Sequence, residues 1–186
     1  MSQRIELFLW RVVILLSYFS VKIVKHSENF GGDEMAKGDL ASMIMADVKK
    51  KEKQLAKEVA PEINQLFKES VHNSLIDWYN DYSPMTYERT NNFLNVYQSA
   101  KTTVSGNILN LQADCFLMDT YPGWLGQPLN IATAFDYMFM NGEHGHGRWM
   151  MYQSTPPFEV VNRDFQSGFG GRVQKIIDKK AKELFR

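Results

Sequence analysis

Residues 39–79 read DLASMIMADVKKKEKQLAKEVAPEINQLFKESVHNSLIDWY, and the period of their apolar positions decides the fold. Ile44, Val48, Leu55, Val59, Ile63, Phe67, Val71, Leu75 and Trp78 recur mostly three, four or seven residues apart. A helix turns once in 3.6 residues, so these side chains fall on one face of a long amphipathic helix. Asp39 is a residue type that caps a helix beginning at Leu40. Pro61 lies inside the pattern; it lacks a backbone donor and is expected to kink or divide the helix. The KKKEK run at 49–53 lies mainly on the wet side, and reads as a solvated face rather than a nucleic-acid patch. His72, one residue from the apolar face, reads as an ordinary half-exposed histidine.

Downstream, Asn80, Asp81, Ser83 and Pro84 end the helix and force an extended turn. The aromatics Trp78, Tyr79, Tyr82 and Tyr87 cluster here with Arg89 alone among nearby basic residues. A base-stacking site would interleave more arginine or lysine, so core packing or a protein interface is expected. A short helical turn over Phe93, Leu94 and Tyr97 follows. Residues 101–113, KTTVSGNILNLQA, predict one strand with a bulge at Gly106. Residues 119–130, DTYPGWLGQPLN, predict a long loop with aromatic anchors. Residues 131–139, IATAFDYMF, alternate as a strand would, with a short helix as the competing reading. A strand is expected over 148–153, a helical segment after Pro156 and Pro157, and a last helix over 172–185. That helix turns Val173, Ile176, Ile177 and Leu184 inward, and the stretch carries five basic and two acidic residues. Helix, strands, helix in that order indicates α+β: a long N-terminal amphipathic helix and a C-terminal helix packed on a small antiparallel sheet.

The chain has 186 residues, enough for one domain with a real core. Its formal net charge is zero, so no overall field draws it to nucleic acid or anionic membrane. The single cysteine, Cys115, excludes an intrachain disulfide and reads as a small core residue. The leading residues differ in character. Residues 5–24, IELFLWRVVILLSYFSVKIV, are apolar but interrupted by Glu6, Arg11 and Lys22. A central arginine costs about 2.5–3.5 kcal/mol on insertion scales, so a spanning helix there is marginal. A buried or surface-lying helix is the plain alternative. Residues 31–37, GGDEMAK, suit a second reading. Two glycine codons can spell a bacterial ribosome-binding sequence at an initiation distance from the Met35 codon. Residues 1–34 are therefore expected to be upstream or apolar extension, and 35–186 a single α+β domain.

The stretch FMNGEHGHGRW at 139–149 most resembles chemistry. His144 and His146 are two apart, and on a strand would point the same way, as zinc-binding pairs do. A metal needs further ligands, and no Cys/His cluster lies elsewhere in the sequence, so these two are weak candidates. A phosphate loop would lead into a helix N-terminus, whereas RWMMY reads as a strand. Neither GxSxG nor HExxH occurs. The expectation is a mobile loop over 140–148 anchored by Phe139, with no catalytic residue and no cofactor.

In the order of its features the chain resembles the tail-completion, or head–tail joining (neck), proteins of long-tailed bacteriophages. The long helix comes first. Pro84, Thr86, Tyr87, Arg89, Thr90, Leu94 and Ser99 loosely match the segment that follows it in that family. Phe135, Tyr137, Phe139, Asn141 and Gly142 match its aromatic–glycine segment, and Pro156, Pro157 and Phe158 its turn into the C-terminal helix. The family's Thr-Gly after the proline is absent, its Glu-Phe-Gly-Thr reads Met-Asn-Gly-Glu here, and the 119–130 loop is longer. The resemblance implies a non-enzymatic virion structural protein, made in the host bacterial cytoplasm. It would form a ring with itself, expected to be a hexamer, between head connector and tail tube. Implied partners are the phage connector and tail proteins and DNA passing through the lumen, with no small-molecule substrate. Trp124, Phe139, Gly142, His144 and Trp149 are the expected subunit-interface residues. A minor tail or tail-terminator protein, a membrane-anchored protein using residues 5–24, and a metal-dependent enzyme using His144 and His146 are the alternatives.

Overall fold

The computed structural model describes residues 10–13, 34–81, 91–114, 121–122, 128–129, 131–144 and 152–184. The fold is α+β, organised along α1 (Glu34–Asp81). At 1.5 Å per residue this helix is about 72 Å long. It starts five residues before Asp39, which therefore lies inside it rather than capping it. Nothing in EMAK breaks a helix, and Gly38 costs only about 1 kcal/mol there. Pro61 does not divide it either. The ring is exposed and the helix is held by burial on both sides of it, from Leu55–Ala60 to Ile63–Phe67.

After α1 a 3-10 turn (Asn92–Asn95) and the short α2 (Val96–Ser99) return along it. Phe93 packs edge-on to Trp78 at 5.0 Å, and Tyr97 lies against half-buried His72 at 4.6 Å. Then come β2 (Lys101–Ser105) and β3 (Ile108–Gln112), an antiparallel hairpin with Ser105 opposite Ile108. The expected single bulged strand is thus two strands. Gly106 has φ +65°, while Asn107 is not left-handed, the pattern of a type II′ turn that suits the twist of a hairpin. Leu109 and Leu111 face the core, and Thr102 and Val104 are half-buried beside them. On the other edge of β3 lies β1 (Trp10–Val13), antiparallel, with Trp10 opposite Leu111. At these four residues the leading stretch is a sheet strand, not the buried or surface-lying helix of the plain alternative; the rest of residues 1–33 lies outside the described residues. Among the described residues no helix is long and apolar enough to cross a membrane.

Two-residue pairs β4 (Tyr121–Pro122) and β5 (Pro128–Leu129) lie in the segment expected to be a loop. Residues 131–140 are helical rather than extended: α3 (Ile131–Phe135) runs into a π-helical turn (Asp136–Met140). The competing reading holds because Phe135 and Phe139, four apart, stack at 4.7 Å and are both buried. A hairpin of β6 (Glu143–His144) and β7 (Tyr152–Gln153) follows, then α4 (Pro157–Gln166) and α5 (Gly168–Leu184). The first four residues of α5, Gly168, Phe169, Gly170 and Gly171, are not helical: all have φ between +52° and +75°. This makes a left-handed turn closed by Gly171 N–H donating to Ser167 O at 3.0 Å. It explains the glycine-rich SGFGG, and buried Phe169 holds it to the core.

α1 is the axis of the core. β2 and β3 pack on one side of it and α4 and α5 on another. Ser70 Oγ donates to Asp164 Oδ2 at 2.6 Å, and Arg172 meets Glu69 at 3.3 Å. Since α4 begins just after the β6–β7 hairpin at Trp78 and reaches Ser70 at Asp164, it runs antiparallel to α1.

Candidate functional site

His144, the residue most suggestive of chemistry, is placed by three elements. α1 brings Trp78 to its C-terminal end, because Trp78 continues the apolar face by one further turn after Leu75. The π-helical turn ends with Asn141 N–H donating to Asp136 O at 3.1 Å, a bond spanning five residues. Gly142 then takes φ +70° and passes so close to the chain after β7 that a Cβ there would collide with Ser154 O and lie 3.0 Å from Pro156 N. Ser154 N–H donates to Gly142 O at 2.9 Å. The hairpin is thus pressed down at one glycine, and His144 enters the core.

The imidazole lies flat on the Trp78 indole, centroids 3.8 Å apart and planes 11° from parallel. Its Nε2 is hydrogen-bonded to Ser154 Oγ, and Tyr152 leans over it at 5.7 Å. His144 is 2% exposed and Ser154 8%. This serine–histidine pair closes the hairpin onto α1. The aromatic wall continues through Phe93 to Phe139, 6.4 Å away and edge-on. Among the described residues Trp78 Nε1 meets no acceptor, and no group of three His, Cys, Asp or Glu is placed to hold a metal ion.

Of the residues singled out by sequence, Phe139, Gly142 and His144 come together here, all buried inside one subunit. Phe139 is the core anchor expected of it. None of the three offers much side-chain surface to a neighbour. Trp124, His146, Trp149 and Cys115 lie outside the described residues. The expected loop over 140–148 begins instead as hairpin, since Glu143 and His144 pair with Gln153 and Tyr152. Sequence reasoning missed Ser154 and Tyr152 as partners of His144; only the hairpin register joins residues ten and eight apart.

The exposed surface is divided along α1. Helix residues 34–54 precede Leu55, the first buried position among the described side chains of α1, and reach about 30 Å beyond it. On this arm Met43 is 65% and Met45 52% exposed. Lys49, Lys50 and Lys53 are exposed and form no ion pair among the described residues, whereas Lys51 pairs with Asp47 at 3.4 Å. The opposite end, around Trp78, carries exposed Asp77, Asp81, Asp136 and Glu159 and half-buried Glu143. No lysine or arginine occurs among its described residues 74–81, 91–97, 131–144 and 152–159. Ile76 and Tyr152 are exposed there.

Compared with known proteins, residues 36–168 match the YomN family. The match takes in α1 from its third residue, the β2–β3 hairpin, the His144 hairpin and α4. No curated protein and no solved structure matches the chain.

Proposed function

The chain belongs to the YomN family, a family of Bacillus prophage origin, and on that premise we propose that it is a structural component of the phage particle. In this reading it completes the tail at the neck, as a ring between head connector and tail tube. It works by assembly with itself and with connector and tail proteins, and DNA crosses the ring. The observation that carries the reading is the span of the family match. It covers the same stretch, long helix to Pro-Pro-Phe turn, whose order of features resembles the neck proteins. The architecture is compatible with this role. His144 closes a core, and the exposed large apolar residues Met43, Met45, Ile76 and Tyr152 lie toward the two ends of a long helix, where neighbours would meet.

The test is direct. Particles released by prophage induction are purified, their proteins identified by mass spectrometry, and the chain located by immunogold labelling. Its expected place is the head–tail junction, and particles that lack it overturn the proposal.

A further inference from the structure

We infer that copies of this chain associate head to tail, the basic methionine-bearing arm of one subunit docking on the acidic Trp78 end of the next. Two sets of exposed residues carry this. The arm presents Met43 and Met45, and its residues 42–54 carry four lysines, exposed Lys49, Lys50 and Lys53 among them, against Asp47 and Glu52, a local excess of two positive charges. The other end presents Ile76 on α1 and Tyr152 on the β6–β7 hairpin, with exposed Asp77, Asp81 and Asp136 and half-buried Glu143 around that end. Along α1 the two sets are about 50 Å apart, too far to meet within one subunit. They are opposite in charge, and each contains large apolar side chains that water covers poorly. Opposite charge around apolar anchors is the composition of a specific contact, the charges setting orientation and the apolar groups adding buried area. Methionine adapts its shape to an uneven partner.

A second copy is the occupant that fits, because each copy supplies both halves. The surfaces differ, so the contact is heterologous and repeats from subunit to subunit, closing into a ring or running on as a filament. A two-fold dimer built on the arms alone would instead place lysine-rich segments near one another. As the contact of a neck ring, this inference rests on the reading above.

Charge reversal tests it in the full chain. One variant carries Lys49→Glu, Lys50→Glu and Lys53→Glu; the other carries Asp77→Lys, Asp81→Lys and Asp136→Lys. Circular dichroism checks that each is folded, and glutamate and lysine have similar helix propensity. Sedimentation velocity over about 1–100 µM at low salt reads the association. The wild type is expected to self-associate, less so as salt screens the charges. Each variant alone is expected to associate at least about tenfold more weakly. An equimolar mixture is expected to regain association, since each variant's arm then meets an end of opposite sign. Met43→Ser with Met45→Ser, which leaves charge unchanged, is expected to weaken association as well. A wild type that stays monomeric throughout, a variant that associates as the wild type does, or a mixture no better than its parts overturns the inference. A chain found at the neck but monomeric here would sink this contact and leave the virion role standing. A chain that passes this test but is absent from particles would do the reverse.

Discussion

Trp78 and His144, 66 positions apart in sequence, stack face to face at 3.8 Å and fasten the β6–β7 hairpin to the end of α1. Removing the imidazole takes away the stack and leaves the buried Ser154 hydroxyl without its partner. Such losses are worth about 0.5–1.5 and 1–3 kcal/mol. His144→Ala is therefore expected to cost about 2–4 kcal/mol in urea denaturation. In a double-mutant cycle with Trp78→Ala, a coupling near 1 kcal/mol is expected. A coupling indistinguishable from zero would mean that the stack contributes nothing of its own.

Gly142 and Gly106 both have positive φ, yet differ in surroundings. A Cβ at Gly142 meets Ser154 O and Pro156 N, backbone atoms that cannot swing away, whereas a Cβ at Gly106 meets nothing within 4 Å. Gly106→Ala is expected to cost about 1 kcal/mol, the conformational penalty alone. Gly142→Ala adds the clash and is expected to cost about 3 kcal/mol or more. Equal melting temperatures for the two variants would refute the close approach.

Pro61 sits in an exposed, unbroken stretch of α1. Pro61→Ala returns a backbone donor to the helix, against a loss of about 0.4–1 kcal/mol from a freer unfolded chain. A net stabilisation of about 1–2 kcal/mol is expected, read as a higher denaturation midpoint. A lower midpoint would show that the proline sets a helix shape the core needs.

Two of the polar contacts between the C-terminal helices and α1, among the described residues, are unequal. Ser70 is 3% exposed and donates to the Asp164 carboxylate at 2.6 Å. Glu69 and Arg172 meet at 3.3 Å with side chains 42% and 53% exposed, where water and salt screen them. Asp164→Ala is expected to cost about 1.5–3 kcal/mol, and Asp164→Asn, which keeps an acceptor, less. Glu69→Gln is expected to cost under about 0.5 kcal/mol. The reverse order in denaturation would contradict the ranking.

The long helix was legible because its apolar positions keep one period over more than thirty residues, too many for another structure to share. Short stretches were not. In 131–139 the apolar residues fit a two-residue period and also, at 131, 135 and 139, a four-residue one. Burial of Phe135 and Phe139 beside Phe93 decides for the helix. In 101–113 the inward set changes phase, from Thr102 and Val104 to Leu109 and Leu111. A bulge and a turn both produce that slip, but Gly106-Asn107 between the runs is the hairpin signal that selects the turn.

By itself, then, the amino-acid sequence determined the axis of this protein: a long amphipathic helix, a sheet-forming middle and a final helix, each set by a local period or a local breaker. Tertiary structure alone decided what the histidine is for. Burial and stacking depend on which distant residue arrives, and Trp78 and Ser154 reach His144 only once the π-helical turn and Gly142 have bent the chain onto α1. Among the described side chains, the same long-range packing buries α1 fully only from Leu55 onward and leaves Met43 and Met45 before it exposed.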